Sequence, residues 1–164
     1  EADISIAALP DQLPEQLEFI EIIRTPLIFI RPTHFPDSVI YDHGFINWQQ
    51  TPLIVAERGL SRQRADRWFS DKGIQPNIYS QVAGNEAIIA MVGMGCGVGI
   101  VPRLVLEKSP QQEQVAILAV APELEPFRVG ACTLARSRRN PVVQSFWQII
   151  DAGVAARQAT AAAS

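Results

Sequence analysis

The stretch GNEAIIAMVGMGCGVGIVP, Gly84 to Pro102, decides how this chain is interpreted. Its four alternate glycines surround one cysteine, so it could be a phosphate-binding loop or a reactive-thiol site. A dinucleotide-binding fingerprint places its glycines after a strand and before a helix, where the helix N-terminus meets the phosphate. Here an apolar helix pattern precedes the glycines and the strand pattern GVGIV follows them. The order favours a helix that ends at a glycine, followed by a strand that passes close to another backbone.

Cys96 lies in this segment, and a nucleophilic role for it requires a nearby base or positive charge. The two histidines, His34 and His43, both fall in a proline-rich loop far away in the sequence. We therefore expect Cys96 to be a buried, unreactive thiol. The sequence therefore gives little support for a cysteine-dependent enzyme, which is the least favoured of the three functions considered below.

The composition limits the class of protein. A chain of 164 residues with 48% hydrophobic residues is long enough for one domain or two small lobes. The net charge of −3 argues against a nucleic-acid surface within this segment. Two cysteines without metal-ligand spacing, and no run long enough to span a bilayer, favour a cytoplasmic protein without metal, cofactor or membrane contact.

Strand and helix patterns alternate along the chain, which predicts an α/β protein with largely parallel sheets. The clearest helix has Ser61 as its predicted N-cap, an inward face of apolar residues, and Gly73 in the left-handed position after its end. Arg64 and Arg67 are expected to solvate its exposed face. A last helix is predicted between an Asn140 cap and Gly153.

Two of the predicted helix starts follow strands and suit an anion, because the first N–H groups of a helix lack backbone partners. One is the loop AERGLS before the first helix, and the other is GNE at the start of the second. For Arg58 and the Ser61 cap, ligand contact and a purely structural role are both open. Asn85 is either a plain N-cap or a cap beside a ligand.

The order and wording of four segments resemble the effector-binding domain of LysR-type transcriptional regulators. These segments are EADISIA, TPLIFIRPTHFP, GNEAIIAMVGMGCGVGIVPRLVLE and NPVVQSFWQII. The resemblance extends from Glu1 to about Asp151. It implies a two-lobed fold like that of type II periplasmic binding proteins, with the first lobe truncated at its N-terminus. The implied first lobe is 1–29 and 127–151, the second lobe is 30–126, and 152–164 is a loose tail.

The resemblance also implies which residues line the effector pocket and form the hinge. The implied effector-binding residues are Glu57, Arg58, Gly59, Ser61, Arg62, Gly84, Asn85 and Glu86. The implied hinge residues are Ala8, Leu9, Val101 and Pro102. The family places the effector between its two lobes, so closure of the lobes would change the geometry of a homodimer or tetramer.

Within the family, the likeness is strongest to regulators of isoleucine and valine synthesis. It implies a small carboxylate effector such as 2-acetolactate or 2-aceto-2-hydroxybutyrate. DNA would be bound through an N-terminal helix-turn-helix that is absent from this chain. A second alternative is the solute-binding protein of a transporter, which shares the fold. A signal peptide before Glu1 would favour the transporter protein, and a helix-turn-helix would favour the regulator.

Overall fold

The computed structural model describes residues 3–9 and 14–162. The strands are β1 (Ser5–Leu9), β2 (Leu17–Thr25), β3 (Leu27–Pro32), β4 (Tyr41–Asp42), β5 (Phe45–Ile46), β6 (Pro52–Ala56), β7 (Asn77–Val82), β8 (Val98–Pro102), β9 (Val115–Leu118) and β10 (Phe127–Leu134). The helices are α1 (Leu60–Asp71), α2 (Asn85–Gly93), α3 (Arg103–Lys108) and α4 (Pro141–Ala162). The predicted α/β class is thereby confirmed.

Contacts divide the chain into two compact units. The first holds Glu1–Arg24 and Phe127–Ser164, and the second is Thr25–Pro126. The boundary expected after Phe29 would cut through β3. In the structure β3 lies in the second unit, because it pairs with β8 on one side and β9 on the other.

The second unit contains a five-stranded sheet in the order β7-β6-β8-β3-β9. Strand β6 runs parallel to β7 and β8, whereas β3 runs antiparallel to β8 and β9. The prediction of largely parallel sheets is therefore wrong. Parallel neighbours arise where α1 and α2 return the chain to the same edge, and apolar patterns along a strand carry no information on its direction.

Helices cover both faces of this sheet, and the alternation along β3 distributes its side chains between them. Ile28 and Ile30 pack with α2 in a core completed by Ile54, Ile88, Ile89, Val92, Val101, Leu106 and Val115. On the α1 face, Phe29 packs against Trp48, Trp68 and Phe69, with ring centroids 5.0–6.3 Å apart. Aromatic pairs at such distances add to the stability of burial.

Helix α1 follows its predicted pattern except at one arginine. Ala65, Trp68 and Phe69 are buried, as the sequence indicated. Arg64 is also buried, with 5% of its surface exposed, so its assignment to an exposed face is wrong. Gly73 has φ +63°, and its N–H donates to the Ser70 carbonyl at 2.9 Å. Gly73 thus takes the left-handed position after the end of the helix, as predicted, and the Ile74 N–H, which donates to the Phe69 carbonyl at 3.0 Å, completes a Schellman turn.

The segment 84–102 has the predicted order of helix, turn and close-packed strand. Gly95 has φ +85°, and the Cys96 N–H donates to the Met91 carbonyl at 3.1 Å, which closes the end of α2. Gly97 has φ +144°, and a Cβ there would collide with the Pro52 carbonyl. Cys96 is partly buried against the α2-face core. The glycines therefore follow a helix and precede a strand, which is the reverse of the order in a dinucleotide-binding loop.

Residues 31–50 include the proline-rich loop that was predicted around His34 and His43. They also contain a small hairpin, in which β4 and β5 pair antiparallel around His43 and Gly44. Both turn residues have positive φ, +49° and +84°. Two-residue hairpin turns of this kind favour Gly and Asn, so Gly44 was the signal that was overlooked.

In the first unit, β10 lies between β1 and β2, and β1 runs antiparallel to β10. Helix α4 buries Val143 and Trp147. The guanidinium of Arg138 lies 4.8 Å from the Trp147 ring centroid, and its Nε is 2.9 Å from the Glu18 carboxylate. The helix end predicted at Gly153 is wrong: α4 continues through the expected tail to Ala162, because alanine is the strongest helix former.

Candidate functional site

Three strand ends of the second unit meet at one edge of its sheet. Strands β6, β7 and β8 all have their carboxyl ends at this edge and lead into α1, α2 and α3. The Glu57 N–H donates to the Val82 carbonyl at 2.9 Å, which joins the loop after β6 to the end of β7. Open α/β sheets characteristically bind ligands outside the carboxyl ends of their strands. The edge therefore brings the two predicted ligand loops together.

The first loop leads into α1 through a glycine. Gly59 is the N-cap, with φ +91° and no side chain to cap the helix. The prediction of Ser61 as N-cap is wrong, because the chain turns at the one residue that adopts this φ without strain. Ser61 lies within the first turn, and its Oγ is buried without a hydrogen-bond partner in the described part of the chain. The first turn contains no acidic residue.

The second loop has the same design with a different charge. Gly84 is the N-cap of α2, with φ +90°, so Asn85 is the first helical residue and its prediction as N-cap is wrong. The Glu86 carboxylate accepts a hydrogen bond of 2.8 Å from the Oγ of Ser109, a buried residue at the end of α3. Glu86 therefore fixes the start of α2 and adds a negative charge there.

Arg62 holds the edge together. Its Nε donates to the Asp66 carboxylate at 2.8 Å, and its Nη1 donates to Gln81 Oε1 at 2.6 Å. The same Nη1 lies 3.5 Å from the Ala56 carbonyl. Arg62 thus ties α1 to the ends of β6 and β7. Gln81 was not predicted to have a role, because nothing in its strand pattern distinguishes it.

The other residues of the first loop, Glu57 and Arg58, are exposed. Exposure leaves both side chains accessible at the sheet edge beside Gly59. Their contact with a ligand stays a prediction, as does that of Asn85.

The third strand end differs, because protein groups occupy the start of its helix. Pro102 ends β8, and α3 begins at Arg103. The Arg103 N–H donates to the Pro26 carbonyl at 2.8 Å, and the Leu104 N–H donates to Thr25 Oγ1 at 3.1 Å. Thr25 was missed, since 79 residues separate donor and acceptor.

The predicted hinge residues lie in both units. Ala8 and Leu9 end β1 in the first unit, and Leu9 is fully buried. Val101 and Pro102 end β8 in the second unit, and both are buried. Their function as a hinge stays a prediction.

Residues 3–9 and 14–162 contain neither a metal-ligand cluster nor a membrane-spanning helix. No group of three His, Cys, Asp or Glu side chains there could hold a metal ion. No helix in these ranges is long and apolar enough to cross a membrane.

Comparison with known proteins agrees with the geometry. A family model described as the LysR substrate binding domain matches residues 1–155. The chain belongs to this family. The LysR domain is 35% identical over 154 residues to the transcriptional activator IlvY of Haemophilus influenzae, and over 155 residues to the regulator IlvY of Escherichia coli K12. Each alignment covers 92% of the chain and 52% of the relative, so the chain spans about half their length.

Solved structures support the same fold. The LysR domain matches the regulatory domain of CcmR from Synechocystis PCC6803, solved in complex with 2-PG, with a TM-score of 0.71 and 19% identity. That match covers 94% of this chain and 74% of the other. It also matches the effector-binding domain of QuiR in complex with shikimate, with a TM-score of 0.70 and 18% identity, over 90% of this chain and 69% of the other. These matches establish a LysR regulatory-domain fold.

Proposed function

We propose that this LysR domain is the effector sensor of a DNA-binding transcriptional activator. Its effector is a small organic acid, 2-acetolactate or 2-aceto-2-hydroxybutyrate. The acid binds at the carboxyl edge of β6 and β7, against the starts of α1 and α2. The similarity to IlvY activators supports the regulatory assignment and the choice of effector.

One observation carries the position of the site. Two helices begin at glycine caps, Gly59 and Gly84, which follow the neighbouring parallel strands β6 and β7, and the bond from Glu57 to Val82 joins the first loop to the end of β7. A glycine cap leaves the first N–H groups of a helix without a capping side chain, and these groups attract carboxylates. The start of α3, which is capped by Thr25, lacks this property.

The two helix starts differ in charge, which suggests an orientation for the effector. The first turn of α1 has no acidic residue and follows Arg58, whereas the first turn of α2 carries Glu86. A carboxylate is stabilised by the former and repelled by the latter. We therefore place the carboxylate of the effector at α1, and its uncharged hydroxyl and keto groups towards α2.

The regulator acts on DNA through a part outside this chain and assembles as a homodimer or tetramer. Binding of the acid changes the activity of that assembly by favouring one of its conformations.

Isothermal titration calorimetry of the full-length natural protein with 2-acetolactate tests the proposal. We expect saturable binding in the micromolar to millimolar range, and no binding of an uncharged analogue such as acetoin. Absence of binding, or tighter binding of an unrelated compound, would contradict the assigned effector. Equal affinity for acetoin would contradict the carboxylate site.

A further inference from the structure

Arg64 is an unusual residue in the middle of α1. It is 5% exposed, whereas the side chain of Arg67, one turn later on the same helix, is 60% exposed. A buried guanidinium is costly unless its N–H groups are hydrogen-bonded, because the charge loses its hydration. The groups that hold Arg64 therefore determine what it does.

Arg64 is held by main-chain carbonyls of one distant segment. Its Nη1 donates to the carbonyl oxygen of Glu125 at 3.2 Å and to that of Pro126. The Glu125 carboxylate lies farther away, 3.9 Å from Arg64 Nε, and is 3.6 Å from Arg67 Nη1. Hydrogen bonds from a charged donor are stronger than those between neutral groups. Arg64 therefore fixes the backbone position of residues 125 and 126.

A second side chain of α1 holds the same segment. The Trp68 indole N–H donates to the Pro122 carbonyl at 2.9 Å, and Leu124 between the two anchors is buried. The segment Pro122–Pro126, which we call the exit segment, is the last of the second unit. The next residue, Phe127, begins β10 in the first unit.

Helix α1 thus has two functions along its length. Its start at Gly59 forms part of the proposed effector site, and Arg64 lies about one and a half turns later. An α-helix transmits displacement of its first turn to the next turns, because each residue is hydrogen-bonded along the axis. The exit segment must follow Arg64, since a broken contact would leave a buried charge with fewer hydrogen bonds.

We propose that Arg64 is a positioning residue that couples effector binding at the start of α1 to the exit segment. This inference rests on the proposed function. It assigns the first step of signal transmission to one guanidinium and two backbone carbonyls, within a single unit of the domain. A contiguous chain of bonded groups, the α1 backbone and the Arg64 guanidinium, connects the two ends, and the coupling itself is measured by the experiment below.

Hydrogen exchange measured by mass spectrometry on the full-length natural protein, with and without 2-acetolactate, tests this coupling. Arg64→Met keeps the volume of the side chain and removes the donors. Arg67→Met is the matched control, because it removes a cation that faces the same Glu125 carboxylate but leaves the carbonyl contacts intact.

In the wild type and in Arg67→Met, we expect the effector to slow exchange at least about fivefold, a typical allosteric coupling, in both the first turn of α1 and residues 123–129. In Arg64→Met, we expect the effector to slow exchange in the first turn of α1 but not in residues 123–129. The affinity for the effector is expected to stay within about threefold of wild type, because the loss of a strong ligand contact would change it about tenfold. A residue with a merely structural role would not separate these two signals.

Undiminished slowing of residues 123–129 in Arg64→Met would overturn the coupling. If that variant does not fold, Arg64→Lys replaces it, since a lysine keeps the charge but lacks the planar donor group. We then expect reduced slowing at residues 123–129, and wild-type slowing would overturn the proposal. If 2-acetolactate slows exchange in neither region of the wild type, the proposed function itself is wrong and the coupling is rejected with it.

Discussion

At the scale of single residues, Asn85 is the side chain on which the effector site is tested most directly. It is the first residue of α2, partly buried, at the edge where the proposed acid binds. We expect Asn85→Ala to weaken binding of 2-acetolactate by roughly threefold to tenfold, the value of one hydrogen bond. Cys96→Ser is the control, because Cys96 packs at the opposite end of the same helix. Calorimetry that finds the larger loss in Cys96→Ser would contradict the site.

Gly97 is the glycine with the strictest requirement. Its φ of +144° and the nearby Pro52 carbonyl leave no room for a side chain. We expect Gly97→Ala to lower the free energy of unfolding by about 2 kcal/mol or more, from strain and collision together. Urea denaturation measures the effect.

Gly153 is the control for Gly97, because we expect alanine to raise stability at this position. It lies inside α4, and a Cβ there would meet nothing within 4 Å. We expect Gly153→Ala to raise stability by up to about 1 kcal/mol, since glycine is a poor helix former. A loss of stability in this variant equal to that of Gly97→Ala would contradict the distinction.

The alkylation rate of the Cys132 thiol and its contribution to stability are both expected to depend on pH, in a direction set by the burial of the side chain. Burial in β10 raises the pKa of its thiol above the usual value, because the thiolate loses hydration. In a Cys96→Ser background, we expect the midpoint of the alkylation rate against pH to be higher in the folded protein than in urea. The unfolded chain loses the proton first, so stability falls as the pH rises past the unfolded pKa. Identical midpoints would contradict this.

At the scale of elements, α3 depends on a cap from a distant part of the chain. The Leu104 N–H is bonded to the hydroxyl of Thr25, which is 5% exposed. We expect Thr25→Val, which keeps the shape of the side chain, to cost about 1–2 kcal/mol, while Thr25→Ser keeps most of the stability. Thermal unfolding measures the loss, and faster exchange of the Leu104 amide localises it. Equal stability of the two variants would contradict the cap.

Helices and strands with local sequence signals were predictable, whereas contacts between distant parts of the chain were not. Strand β6 and the end of α1 at Gly73 were predictable, because a short apolar run and a glycine after a helix are local signals. The glycine caps at Gly59 and Gly84 were mistaken for polar caps one or two residues later, since both residue types favour helix starts. The bond from Leu104 to Thr25 carries no local signal.

Charge on a helix face is similarly ambiguous before the tertiary contacts are known. Arg64 and Arg67 look alike in the sequence, and the contacts of Arg64 with the carbonyls of residues 125 and 126 become visible only in the tertiary structure. For the candidate site, the two loops were predictable from the order of strand and helix. The contact of Arg62 with Gln81 was not, because it depends on the register of β6 and β7.

At the scale of the whole molecule, the two units differ in how the chain builds them. The second unit, Thr25–Pro126, is one continuous segment that contains the whole five-stranded sheet. The first unit is built from two separate segments of the chain. Both units expose large apolar side chains: Ile6, Val142 and Ile149 in the first are 62%, 75% and 70% exposed, and Phe45 and Met94 in the second are 79% and 65% exposed. Exposed apolar side chains promote association of a protein in water where they lie close together.

We therefore expect the excised fragment Thr25–Pro126 to fold alone and to unfold in one cooperative transition, because its core and the Arg64 contacts lie entirely within it. The first unit, with a short glycine-serine linker in place of residues 25–126, is expected to associate at micromolar concentration. Circular dichroism with urea tests the fragment, and light scattering tests the linked unit. A fragment without a cooperative transition would contradict its independence. A monodisperse linked unit would show that its exposed apolar side chains do not drive association.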